Sequence, residues 1–74
     1  MKSLKDPRYR KVVQELKTAR LSRNYTQEEV AKLIKKPQSF LSKIENFERR
    51  IDIIELYELM KVYDLKWNEL TRGF

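Results

Sequence analysis

Apolar residues recur at helical spacing along this 74-residue chain, and that pattern constrains the fold more than any other feature. Tyr9, Val12, Val13, Leu16 and Ala19 stand three and four positions apart, which places them on one face of a helix. No segment alternates apolar and polar residues for long, and one glycine and two prolines are few for hairpin turns. The sequence therefore predicts an all-α fold.

Helix-capping residues divide this pattern into five short helices. Asp6 and Pro7 predict the start of the first helix, because aspartate caps helices and proline suits the first helical position. Asn24 is the candidate to end it, since asparagine tolerates the left-handed conformation. Thr26 and Glu29 match a capping box that starts the second helix, in which each side chain accepts a hydrogen bond from the other residue's backbone N–H.

The remaining three helices follow from the same signals. Pro37 suits the first position of the third helix, and Asp52 with Glu55 matches another capping box at the start of the fourth. A short fifth helix is expected over about residues 66–72, ended by Gly73. The residues expected to face the core from the second to the fifth helix are Val30, Ala31, Leu33, Ile34, Phe40, Leu41, Ile44, Ile54, Leu56, Leu59, Met60, Tyr63 and Trp67.

Composition excludes several classes of function. The chain contains no cysteine and no histidine, which removes thiolate metal sites, the commonest metal ligand and the commonest general base. It also has no glycine-rich phosphate loop and no nucleophile elbow. We therefore expect no enzyme activity, metal, cofactor or small-molecule substrate. No apolar run follows the first charged residues and none is long enough to span a membrane, so we expect a soluble, cytoplasmic protein.

The charge is distributed unevenly along the chain. Residues 1–50 hold fourteen Lys and Arg against six Asp and Glu, whereas residues 51–74 hold three against five, which gives the net charge of +6. A basic first part with a mildly acidic end suggests a surface that faces a polyanion. From charge alone, a generally basic soluble protein is an equally weighted alternative.

Two short helices joined by a tight polar turn occupy residues 26–45, which is the layout of a helix-turn-helix. In that motif the second helix enters the major groove of duplex DNA. With Leu41 and Ile44 facing inward, helical spacing turns four polar residues outward: Gln38, Ser39, Ser42 and Lys43. Without the flanking motif, an ordinary solvated helix face would be the preferred interpretation of these residues.

The chain resembles the Cro/C1-type helix-turn-helix proteins of phage and bacterial repressors. The resemblance rests on TQEEVA at residues 26–31, PQSFLSKIEN at residues 37–46 and ERR at residues 48–50, and it extends over about residues 16–70. It implies a five-helix lambda-repressor-like fold, with residues 1–74 as a single DNA-binding domain. It also implies a sequence-specific transcriptional regulator that binds double-stranded DNA, most often as a repressor.

The resemblance also implies roles for individual positions. The residues that match base-reading positions are Gln38, Ser39, Ser42 and Lys43, and an amide such as that of Gln38 can both donate to and accept from adenine. The residues that match phosphate contacts are Gln27, Lys43, Asn46, Arg49 and Arg50. For the last two arginines, pairing with Glu48 or Glu45 is the alternative. Arg20 and Glu45 match an internal salt bridge that ties the first helix to the third.

Three residues depart from the family's pattern. Lys35 stands where the family usually has the turn glycine, so a non-glycine residue would adopt a positive φ there. Phe47 replaces another usual glycine, and Asn46 is expected to take the left-handed cap in its place. Ile51 replaces a frequent proline. These departures concern the loops and leave the helical part of the match intact.

The resemblance implies a homodimer on a palindromic operator whose half-sites lie about one helical turn apart. The interface candidates at the end of the chain are Glu69, Leu70, Arg72 and Phe74. The alternative function is a protein-interaction module, such as an antitoxin or a coactivator that uses the same fold. RNA binding is a more distant alternative, because no aromatic platform or glycine loop of the usual RNA-binding modules is present.

Overall fold

The fold consists of short helices connected by tight turns. The computed structural model describes residues 2–74, and within that range it contains helices and no strand. The helices are α1 (Lys2–Lys5), α2 (Pro7–Ser22), α3 (Gln27–Leu33), α4 (Gln38–Glu45), α5 (Ile53–Tyr63) and α6 (Trp67–Leu70). The last five are the helices that the sequence predicts, so the all-α, lambda-repressor-like fold class is confirmed. The short turn α1 is an addition to that prediction.

The predicted caps set where the helices begin. The Asp6 carboxylate accepts hydrogen bonds from the Arg8 side chain and backbone N–H, and these bonds lower the pKa of Asp6 to about 2. At α3, Glu29 N–H donates to the Thr26 hydroxyl at 3.0 Å, and Thr26 N–H donates to the Glu29 carboxylate at 2.8 Å. The equivalent pair of bonds joins Asp52 and Glu55 at the start of α5. These three predicted helix starts are confirmed. At α4 the prediction is wrong by one residue: Pro37 is the N-cap, with an extended ψ of 155°, and the helix begins at Gln38.

Residues with positive φ end the helices. Asn24 (φ 61°) follows α2 and Lys35 (φ 58°) follows α3, as the sequence predicts. After α4 the prediction is wrong: Phe47 has a φ of 60°, whereas Asn46 has a φ of −91°. In all three cases the residue with positive φ is the second one after the helix, so Asn46 could take this position only if α4 ended one residue earlier.

The core forms around α2, which packs against α4, α5 and α6, while α3 packs against α4. Every helix from α2 to α6 contributes at least one side chain that is almost fully buried. The buried apolar residues are Val12, Val13, Leu16, Ala19, Val30, Ala31, Ile34, Phe40, Leu41, Ile44, Leu59, Tyr63 and Leu70. This core holds the backs of α3 and α4 and leaves their outer faces free.

Three residues predicted to face the core are exposed instead. Leu33 is 58% exposed because Val30 and Ile34 occupy the inner face of α3. Ile54 is 64% exposed because the inner stripe of α5 begins at the neighbouring Glu55, which makes ion pairs there. Trp67 is 57% exposed, and Leu70 is the buried residue of the four-residue helix α6. Because the inner stripe of α5 contains a glutamate, hydrophobicity alone predicts the wrong inward-facing residue at the start of this helix.

None of the helices described in residues 2–74 is both long enough and apolar enough to cross a membrane.

Candidate nucleic-acid interface

Helices α3 and α4 pack against each other more extensively than any other pair, with residues 34–37 as the turn between them. Leu41 and Ile44 bury the inner face of α4. On its outer face Gln38, Ser39 and Lys43 are exposed, while Ser42 is half-buried. Three of the four predicted base-reading residues are therefore exposed on the outer face of one helix.

A chain of hydrogen bonds fixes α4 to α2 and α3. The guanidinium of Arg20 binds Glu45 through two bonds, Nε to Oε2 at 2.7 Å and Nη2 to Oε1 at 3.0 Å. The Gln27 amide donates to Glu45 Oε1 at 2.9 Å, and the Gln38 amide donates to Gln27 Oε1 at 3.4 Å. The structure thus contains the Arg20–Glu45 pair that the resemblance implies, and it extends that pair to the exposed residue Gln38.

The hydrogen bonds between Arg20 and Glu45 lie in the interior of the protein. Both members of the ion pair are almost fully buried, and the hydrogen bond that Arg20 donates to Glu45 is the main cause of the raised pKa of Arg20. The carbonyl oxygen of Tyr25 accepts a further bond from Arg20 Nη1 at 2.8 Å. Because the donors of Arg20 are directed inward, this arginine is a structural residue and is not available to an external ligand.

A second polar cluster lies behind α4, around the ring of Phe40. Arg49 Cζ lies 4.7 Å from the centroid of this ring and Lys36 Nζ lies 5.4 Å from it. Both cations also reach the buried carboxylate of Glu55, Arg49 at 2.9 and 3.2 Å and Lys36 at 3.9 Å. Lys36 precedes α4 and Arg49 follows it, so one carboxylate on α5 holds the segments on both sides of that helix.

The carboxylate of Glu55 stays ionised in this cluster. Burial raises its pKa, but the hydrogen bonds from Arg49 and from Asp52 N–H, with the positive charges of Arg49 and Lys36, outweigh burial and leave the pKa below its ordinary value. The sequence predicts only a capping role for Glu55, and for Arg49 it predicts a phosphate contact, with pairing to Glu48 or Glu45 as the alternative. The actual partner was missed because the Arg49–Glu55 contact depends on how the loop folds back onto α5.

The loop after α4 is attached to the first part of α2. The hydroxyl of Tyr9 donates to the carbonyl oxygen of Arg49 at 3.3 Å and accepts from Ile51 N–H at 3.0 Å. In the same loop, Asn46 and Arg50 are exposed, as predicted phosphate contacts must be. The sequence predicts Tyr9 on the apolar face of a helix, but helical periodicity does not indicate which groups its hydroxyl binds.

Three exposed cations near α4 lack acidic partners. Within residues 2–74, Lys35, Lys43 and Arg50 make no ion pair, whereas Arg20 and Arg49 each bind a glutamate. No group of acidic side chains in the described part of the chain is arranged to hold a metal ion. Helix α4 and the loops on either side of it therefore carry unpaired positive charge, which suits a polyanion.

Exposed apolar side chains of α5 and the end of the chain form a separate apolar face, made of Ile53, Tyr57, Trp67 and Phe74. All four are more than half exposed, and each lines at least one of two cavities of about 320 and 240 Å³.

The four predicted interface candidates at the end of the chain differ in how far they are exposed. Phe74 and Arg72 are exposed, and Glu69 is half-buried with its carboxylate bound to Lys66 N–H at 2.9 Å. Leu70 is fully buried, so its assignment to an interface is wrong.

Comparison with protein-family models matches the helix-turn-helix family over residues 16–70, which is most of the chain and includes both α3 and α4. A search of curated proteins finds no match.

Proposed function

Because the chain belongs to the Cro/C1-type helix-turn-helix family, whose members are DNA-binding regulators, we propose that it is a sequence-specific transcriptional repressor. In this proposal residues 1–74 act as a single cytoplasmic domain, without cofactor or catalysis, and occupation of an operator blocks transcription. The observation that carries the proposal is α4 itself, whose apolar side is buried while Gln38, Ser39 and Lys43 are exposed.

The exposed side of α4 is assigned to base reading in the major groove. The Gln38 amide can donate to adenine N7 or accept from its N6 amino group, and one good bidentate contact discriminates by about 1–3 kcal/mol. Gln27 supports that side chain through the 3.4 Å hydrogen bond between the two amides. Ser39, Ser42 and Lys43 are assigned to neighbouring bases.

Phosphate contacts are assigned to Gln27, Lys43, Asn46 and Arg50. They would position the protein on duplex DNA without reading sequence. Arg49 is assigned a structural role and not the phosphate contact that its sequence position suggests. Its guanidinium is bound to Glu55 and lies over the ring of Phe40. We expect Lys43→Ala to reduce the steepness of the salt dependence of binding if this lysine neutralises a phosphate.

We further propose that two copies associate through the apolar face of α5 and α6. At about 150–250 Å² for each aromatic side chain, the exposed parts of Tyr57, Trp67 and Phe74 present roughly 350 Å². That area can form the apolar centre of an interface of about 800 Å² per partner. Residues 51–74 are also mildly acidic in a chain of net charge +6, so two copies approach there with the least repulsion.

Selection of bound sequences from a random pool of duplex DNA tests the proposed function. We expect enrichment of a palindrome whose half-sites lie about 34 Å apart, since a two-fold dimer places two recognition helices one turn of DNA apart. Failure to enrich any sequence would contradict sequence-specific binding, and enrichment of a single unrepeated half-site would contradict the dimer.

The dimer is tested separately by the molar mass of the complex on a duplex that carries a single half-site, to which a chain that does not dimerise binds as one copy. Ile53→Asp should reduce the stoichiometry from two chains to one, whereas Leu21→Ser, which removes an exposed apolar residue on α2, should leave it at two. An unchanged stoichiometry for Ile53→Asp would assign the apolar face to another partner. A protein-interaction module such as an antitoxin or coactivator is therefore the second candidate function, and the exposed apolar face is the observation that favours it.

A further inference from the structure

We infer that Arg10, held against the ring of Phe47, is an additional phosphate-binding residue that α2 contributes to the DNA interface. This inference rests on the proposed DNA binding and adds a residue outside the helix-turn-helix. Arg10 Cζ lies 4.4 Å from the centroid of the Phe47 ring, and Phe47 directly follows Asn46, the C-cap of α4. The contact therefore joins α2 to the segment where α4 ends.

The position of Arg10 beside this loop is fixed by a neighbouring residue. The Tyr9 hydroxyl bonds to the backbone of both Arg49 and Ile51, which ties this turn of α2 to the loop. The same loop carries the exposed residues Asn46 and Arg50, both assigned above to phosphate binding. Arg10 thus adds a third polar group to the same edge of the molecule.

The guanidinium of Arg10 is available to a ligand. Within residues 2–74 it makes no hydrogen bond or ion pair, whereas Arg8, Arg20 and Arg49 each bind a carboxylate. A cation–π contact holds the guanidinium over the ring through one side, and the N–H groups that point away from the ring stay free to bind a phosphate. The ring also restricts the side chain before DNA arrives, so less conformational freedom is lost on binding.

Phe47 adopts a backbone conformation that favours glycine. Its φ of 60° is strained for any residue with a side chain, and a glycine would relieve that strain. The half-buried ring packs at the edge of the core and carries the guanidinium of Arg10. Replacing Phe47 by glycine therefore removes the ring without adding backbone strain.

The experiment measures the affinity for duplex DNA of random sequence as a function of salt, so that it does not depend on the operator. Loss of one phosphate contact lowers the log–log slope by about 0.9, which corresponds to about 3.5-fold over a fourfold change in salt. We expect Arg10→Ala to lose affinity less steeply than the parent chain between 50 and 200 mM salt, by about 3.5-fold for each chain bound.

Arg8→Ala is the matched control, because it removes the same charge from the same helix. Two positions along a helix differ by about 200° around the axis, so Arg8 and Arg10 lie on nearly opposite sides of α2. Arg8 is also bound to Asp6 at 2.8 Å. We expect its replacement to leave the slope unchanged. Equal reductions for Arg8→Ala and Arg10→Ala would show a general charge effect and overturn the inference.

Phe47→Gly supplies an independent test, because it removes the ring and leaves the charge of Arg10 in place. The salt slope should become shallower as Arg10 loses its support. It is measured at a temperature at which the variant is folded, because loss of the half-buried ring lowers stability by more than the relieved strain raises it. A parental slope in both Arg10→Ala and Phe47→Gly would refute the role of Arg10 while leaving DNA binding intact. No DNA binding by the parent chain would instead refute the proposed function.

Discussion

Replacing Glu45 by alanine removes the carboxylate that joins three helices, and it leaves the guanidinium of Arg20 buried without its partner. The two side chains are bound by two hydrogen bonds of 2.7 and 3.0 Å, and both residues are almost fully buried. Breaking a buried pair by removing one partner costs about 3–5 kcal/mol. A domain of this size is stable by only about 4–11 kcal/mol at 0.05–0.15 kcal/mol per residue.

The expected loss is therefore a large part of the free energy of unfolding. At about 4–8 °C for each kcal/mol, Glu45→Ala should lower the midpoint of thermal unfolding by roughly 12–40 °C. Urea unfolding followed by circular dichroism at 222 nm, a standard helix signal, measures the same loss as a free energy. Glu48→Ala is the control, since this exposed carboxylate makes no ion pair in the described part of the chain.

A double replacement separates the pair's net contribution from the penalty of leaving one charge unpaired. With Arg20→Met and Glu45→Leu together, apolar side chains of similar length fill the site, and such exchanges are often neutral or stabilising. We expect the double variant to recover most of the stability that Glu45→Ala loses. A loss below about 1 kcal/mol for Glu45→Ala, the usual value for exposed pairs, would refute the reasoning.

Three further predictions follow from single side chains. Folding lowers the pKa of Glu55, so its ionised carboxylate stabilises the fold above the unfolded pKa of about 4.3. This contribution is lost as the pH falls through the lower folded pKa. Glu55→Gln should therefore flatten the dependence of the free energy of unfolding on pH in that range. Lys35→Gly should raise the free energy of unfolding by about 1 kcal/mol, because φ is 58° there, and a decrease would contradict the strain. Tyr63→Phe should also stabilise the fold by about 1 kcal/mol, because its buried hydroxyl has no hydrogen-bond partner, and a loss of stability in urea unfolding would show a missed partner.

Local features of the fold could be predicted from the sequence. The capping boxes at Thr26 and Asp52 involve residues three positions apart, and their hydrogen bonds form as soon as the helix begins. The positive φ of Asn24 and Lys35 likewise follows from where a helix must end. Such interactions depend on few neighbours, so residue type and spacing were sufficient to predict them.

Features that depend on packing between distant segments could not be predicted in this way. Glu55 lies in the inner stripe of α5 only because Lys36, which precedes α4, and Arg49, which follows it, both reach its carboxylate. For the same reason hydrophobicity placed Ile54 inward, and it also favoured Trp67 over Leu70 as the core residue of α6. The outward face of α4 was predictable, whereas the hydrogen bond that joins Gln38 to Gln27 required the structure.

The most direct test of the central claim, that the exposed side of α4 reads bases, is a specificity profile of Gln38→Ala. Affinity is measured for the selected operator and for operators altered at each base pair in turn, with Gln14→Ala on the exposed side of α2 as the matched glutamine control. We expect Gln38→Ala to lose about 1–3 kcal/mol of discrimination at one base pair in each half-site, while Gln14→Ala retains the full profile. A Gln38→Ala profile identical to that of the parent chain at every position would contradict base reading by this helix.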